Sequence, residues 1–116
     1  MRKTLLRTDE MHQQYLNAEK NPDFYDSTTP IEVTEYWKII PNQYPYDAIA
    51  EVHHLLVPVR KVVNELDLNV MERVHLDECK AWIRDEQLYD MIIMNFPHQQ
   101  SAPQRLHYHL IKLKTI

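Results

Sequence analysis

Residues 104–114 read QRLHYHLIKLK, and this stretch decides the fold. Apolar and polar side chains alternate along it with neither glycine nor proline to interrupt them, so it is predicted as a β-strand. Successive side chains of a strand point to opposite faces. Arg105, His107 and His109 therefore share one face, and Leu106, Tyr108 and Leu110 the other. Three readings of the charged face stand open: a plain polar sheet surface, half of a zinc site completed by histidines elsewhere, or a site for a phosphate. The last has a chemical rationale. A guanidinium presents paired donors in fixed geometry, and a neutral imidazole nitrogen can attack phosphorus or take a proton.

Working outward, the preceding segment YDMIIMNF (89–96) is predicted as a strand with Met91 and Met94 buried, followed by the polar loop NFPHQQSAP (95–103). VTEYWKIIP (33–41) and AIAEVHHLLVP (48–58) form a predicted antiparallel pair, joined through the turn chemistry of PNQYPYD (41–47). Between the two pairs, NVMERVHLDECKAWIRDE (69–86) is the main helix. Asn69 and Glu72 open it as a capping box, with Met71, Val74, Cys79, Trp82 and Ile83 on its apolar face. Glu72, Arg73, Asp77, Lys80 and Arg84 are assigned to its solvated face. Shorter helices are expected over residues 8–20, capped by Thr8 with Asp9 and Glu10 in the first turn, and over 59–66. Helix, two strands, helix, two strands is an α+β arrangement, with helices covering one face of an antiparallel sheet.

The chain has 116 residues, enough for one domain: residues 1–32 as a helical amino-terminal extension and 33–116 as the core. A net charge of -4 gives no general hold on polyanions, so nucleic acid is not an expected partner and any phosphate must meet a local site. There is no glycine. That excludes a Walker loop and a Rossmann fingerprint, and leaves tight turns to Asn, Asp and Pro. The lone Cys79 makes no internal disulfide, and MRKTLLRTDEMHQQ lacks the apolar run of a signal peptide or membrane helix; a cytoplasmic location is expected.

The segments WKIIPNQYPYDAIAEVHHLLVPVRKV (37–62) and MIIMNFPHQQSAPQRLHYHLI (91–111) resemble, in order, the two halves of the histidine triad (HIT) family. The first half has an Asn or Asp, a turn with Pro, then H-x-L-x-x-P; the second has Asn, a polar loop and Ser leading into H-x-H-x-H. The resemblance implies a HIT-like α+β fold, with a main helix and shorter helices on an antiparallel sheet, and it implies nucleotidyl transfer. In that family the middle histidine attacks the α-phosphorus of a nucleotide conjugate, and water then releases a nucleoside monophosphate from the nucleotidyl-histidine.

By the same resemblance His107 is the nucleophile, His109 the third histidine and His53 the earlier histidine supporting them. Asn42 falls where ribose is bound, and Asn95 and Ser101 where the phosphate is met; Arg105 is assigned to the phosphate for its paired guanidinium donors, not by the resemblance. No cofactor or metal is implied. A purine nucleotide or its conjugate is the implied substrate, and a homodimer through the main helix and a neighbouring strand is the implied assembly. The alternative of the same fold is a nucleotide-binding module with weak or no chemistry.

Four departures mark this chain. Arg105 replaces the first triad histidine, so a backbone carbonyl on its own strand is expected to orient His107. No histidine follows Pro58, no glycine occurs between Asn95 and Ser101, and seven residues follow His109, leaving no expected carboxy-terminal extension to shape a leaving-group pocket. His54 should leave the face opposite His53 and serve packing; His12, His75 and His98 are given packing or solvated roles.

Overall fold

The computed structural model describes residues 5–19, 23–96 and 105–116. Ser101, His98 and most of the loop before the last strand lie outside the described residues. Thr8 caps α1 (Asp9–Asn17), its hydroxyl accepting from Met11 N–H, and a single turn forms α2 (Phe24–Ser27). Then come β1 (Glu32–Val33), β2 (Trp37–Pro41), β3 (Ala50–Pro58), α3 (Val70–Glu86), β4 (Met91–Ile93) and β5 (Tyr108–Leu113). Among the described residues the strands form one antiparallel five-stranded sheet in the order β1-β2-β3-β5-β4. The α+β class expected from the sequence is the observed one.

Alternation along the strands builds two cores. Trp37, Ile39, Leu56, Leu106, Tyr108 and Leu110 face α3 and pack on Leu76, Cys79 and Ile83. Ile40, Leu55 and Val57 face the other way and pack on Tyr25 and Phe24 of α2, with Tyr46, Ala50 and Ile111 beside them. Helical cover is therefore split between the two faces rather than confined to one. The split matters because His53, His107 and His109 lie on the α2 side, buried.

Several expectations are corrected. The last strand begins at Tyr108, not at residue 104, because its ladder with β3 ends at Leu56↔Tyr108 close to Pro58, which has no N–H to donate. The helix expected over 59–66 shrinks to a 3-10 turn, Glu65–Asp67. Val62 O, which a helix would offer to Leu66 N–H, accepts Leu106 N–H instead, and Leu66 N–H goes to the Asn64 side chain.

The buried stripe of α3 is Glu72, Leu76, Cys79 and Ile83, rotated from the one expected; Met71, Val74 and Trp82 are exposed, as is Met91 of β4. Glu72 leaves the solvated face because it closes the capping box, meets Arg60 Nη2 at 2.8 Å, and offers its backbone carbonyl to the Trp37 indole N–H at 2.9 Å. With no glycine to end α3, Gln87 takes the left-handed conformation at φ 54°, ψ 35°.

Candidate active site

β3 and β5 carry the site. In their register His53 stands opposite Ile111 and Leu55 opposite His109, which makes His53 and His109 diagonal neighbours on one face. Their rings meet: His53 Nε2 is 2.8 Å from His109 Nδ1. The protons can be assigned. Tyr46 N–H donates to His53 Nδ1 at 2.9 Å, so that nitrogen is bare and the neutral ring carries its proton on Nε2. His53 Nε2–H then donates to His109 Nδ1, and the His109 proton sits on Nε2; Asn95 Nδ2, 3.3 Å from that nitrogen, is a second donor beside it rather than its acceptor, and donates to the Tyr46 hydroxyl at 2.6 Å. Asn42 lies 3.2 Å from the same His53 ring, and its Oδ1 accepts Tyr44 N–H.

His107 is fixed from its own chain. Its Nδ1 is 2.8 Å from the Arg105 carbonyl. A carbonyl only accepts, so His107 Nδ1 holds the proton and Nε2 keeps its lone pair. The expected backbone carbonyl is thus present, supplied by Arg105, which precedes β5 rather than lying on the strand. The His107 and His109 rings lie 5.0 Å apart, nearly perpendicular.

Burial keeps these rings neutral. His53 is pushed down to about 4, mainly by desolvation and then by the Arg7 charge. His109 is lowered further, by burial first and then by the charges of His107, His53 and Arg7. His107 is lowered by burial, against the upward pull of the Arg105 carbonyl. A neutral imidazole with a bare Nε2 is the form that attacks phosphorus.

Arg105 does not stand free on the sheet face. Its Nη1 meets both carboxylate oxygens of Asp26, at 3.1 and 3.2 Å, and its Nη2 meets the Pro58 carbonyl at 3.2 Å. A phosphate would have to displace these partners or meet the buried Nε, which has no hydrogen-bond partner among the described residues.

His54 points to the opposite face, as the alternation required, and its Nδ1 is 2.6 Å from the Tyr89 hydroxyl. His75 lies edge-on to Tyr36, ring centroids 4.6 Å apart, and His12 is buried near Tyr15. Among the described residues no group of three His, Cys, Asp or Glu side chains is arranged to hold a metal, and no helix is long and apolar enough to cross a membrane.

Tyr46, Tyr25, Asp26 and Arg7 also belong to the site, beyond the residues expected from the sequence. Tyr46 packs its ring 4.5 Å from His53 and 5.0 Å from His109, and the Asn95 amide lies 2.6 Å from its hydroxyl. Arg7 stacks on Tyr46 and Tyr15 and donates Nε–H to Tyr44 O. The Tyr25 hydroxyl is 3.5 Å from His107 Nδ1. For Tyr46 the sequence signal is the aromatic cluster of Trp37, Tyr44 and Tyr46, which describes a core as well as a base-stacking wall, and Trp37 of that cluster is core, against α3; Arg7, Tyr25 and Asp26 lie outside it.

The fold has counterparts among solved structures. A histidine triad protein from Clostridium difficile superposes with a TM-score of 0.55 at 21% identity, over 77% of this chain and 81% of that one. A HIT family hydrolase from Clostridium thermocellum does so with a TM-score of 0.55 at 24% identity, over 78% and 85%. No family model matches the sequence, and neither does any curated protein. The chain has a HIT-like fold, an antiparallel sheet carrying one main helix and shorter ones.

Proposed function

We propose that this protein belongs to the histidine triad family and is a nucleotidyl hydrolase or transferase whose nucleophile is His107. The observation that carries this is the single tautomer of His107, with Nδ1–H held by the Arg105 carbonyl at 2.8 Å and Nε2 bare. The Nε2 lone pair attacks the α-phosphorus of a nucleotide conjugate and an N–P bond forms. The P–O or P–N bond to the leaving group breaks, and that group departs with the bonding pair and takes a proton from solvent. Water then attacks phosphorus, the N–P pair returns to Nε2, and a nucleoside monophosphate leaves as the attacking water yields a proton to solvent.

His109 Nε2–H and the Asn95 amide converge at 3.3 Å, where they can donate to non-bridging phosphate oxygens, and His53 holds His109 in the tautomer that makes this donation. Ser101, outside the described residues, is assigned to the same phosphate, and Asn42, beside His53, to the ribose of a purine nucleotide. A homodimer belongs to the same proposal: Val70, Met71, Val74 and Trp82 of α3 and Met91 of the β4 edge are exposed apolar side chains that a second copy would cover. One observation favours the weaker reading of a nucleotide-binding module: His107 is only 3% exposed, with Tyr25 packed against it.

Turnover of an adenosine phosphoramidate separates the two. An enzyme releases AMP and, on rapid quenching with labelled substrate, yields acid-labile, base-stable label on His107. A binding module holds AMP and yields neither.

A further inference from the structure

Arg105, just before β5, is anchored by a distant segment of the chain. Its side chain is 6% exposed, yet its carboxylate partner Asp26, in α2, is 61% exposed. Asp26 lies 79 residues away in sequence, and through the paired contacts described above it neutralises a guanidinium that would otherwise be buried without a counter-ion. Lys38 Nζ approaches the same carboxylate at 3.8 Å. The Arg105 backbone precedes β5 and has no ladder partner, although the next residue donates its N–H to Val62 O at 2.7 Å. Among the described residues, what holds the Arg105 carbonyl in place is therefore that one neighbouring bond, the His107 Nδ1–H it accepts, and the fixed side chain. The same carbonyl sets the His107 tautomer.

We infer that Asp26 is a positioning residue of the active site: its carboxylate fixes the Arg105 side chain and, through it, the carbonyl that keeps His107 as the Nδ1–H tautomer. This rests on His107 being the nucleophile. Arg105 then acts through its backbone rather than as a phosphate ligand, and the amino-terminal segment contributes to catalysis without touching substrate. An uncompensated buried guanidinium is expelled toward water or draws in another anion, and either movement disturbs the carbonyl attached to it.

The test is Asp26→Asn, read by imidazole nitrogen NMR of the full-length protein without ligand, by AMP affinity and by turnover. The wild type should give one His107 signal set of the Nδ1–H tautomer. Asp26→Asn should give mixed tautomers and lose about tenfold or more in kcat, with AMP affinity within about twofold of wild type. If Asp26→Asn fails to fold, the double variant Asp26→Asn with Arg105→Met removes the unpaired charge along with its partner, and it too should show mixed tautomers. A single unchanged tautomer with unchanged kcat overturns the role of Asp26. Tighter AMP binding in Asp26→Asn also overturns it, since a guanidinium released to a phosphate is a ligand. Failure of the wild type to turn over or to label would remove the nucleophile, whereas the tautomer comparison still decides whether Asp26 fixes the imidazole.

Discussion

His53 Nε2 donates to His109 Nδ1 across 2.8 Å, joining two strands through a pair of neutral imidazoles. The bond requires one protonated and one bare nitrogen at the shared position, so an added proton on His109 Nδ1 breaks it, and the site depends on pH in two separable ways.

The first is stability. The folded-state value of His53 lies near 4, below the ordinary value of 6.5, and His109 is lowered as well. A depressed histidine binds its proton more readily in the unfolded chain. Stability is therefore full above about pH 6.5 and falls as pH drops toward 4, by a total on the order of a few kcal/mol. Denaturant titrations between pH 7 and 4.5 should show this loss, and His53→Phe should flatten it.

The second is turnover. His107 must be unprotonated to attack, and burial lowers its pKa. The acid limb of kcat/KM should lie below the ordinary histidine value of about 6.5. A limb at or above 6.5 would place the nucleophile elsewhere.

The two adjacent histidines should separate cleanly. His53→Ala removes the partner that sets the His109 tautomer and should lower kcat about ten- to a hundredfold. His54→Ala loses the bond to Tyr89 on the opposite face and should cost about 1 kcal/mol of stability with kcat retained. Parallel melting curves and kinetics of the two variants decide it.

Glu72→Ala should be among the most destabilising single changes in α3. It removes the side-chain half of the capping box and leaves Arg60 without its carboxylate; a loss of about 2 to 4 kcal/mol is expected by urea denaturation. The Glu72 carboxyl is held below the usual carboxylate range, chiefly by its hydrogen bond from Arg60. Its contribution is accordingly present above the ordinary carboxylate value and is lost as pH falls through the lowered one.

Gln87 sits at positive φ where glycine carries no side-chain clash. Gln87→Gly should stabilise the protein by about 0.5 to 1 kcal/mol, visible as a rise in Tm of a few degrees.

Local chemistry was legible in the sequence. The alternation of residues 104–114 set which side chains share the histidine face, because a strand permits only two faces. The Asn69 and Glu72 spacing opened α3 where it begins, because a capping box is satisfied within one turn. His53 and His54 had to part for the same reason as the residues of β5. Tertiary structure decided what sequence spacing does not encode. Glu72 left the solvated face because Arg60 and the Trp37 indole were brought to it, and Met71, Val74 and Trp82 were correspondingly left outside. Tyr46 and Arg7 reached the histidines only through the turn before β3 and the segment before α1. The partner of Arg105 was the least accessible of all: a carboxylate 79 residues earlier becomes its neighbour only when α2 packs on the sheet face that α3 leaves open, and burial then makes that pairing obligatory for a charge that cannot be lost.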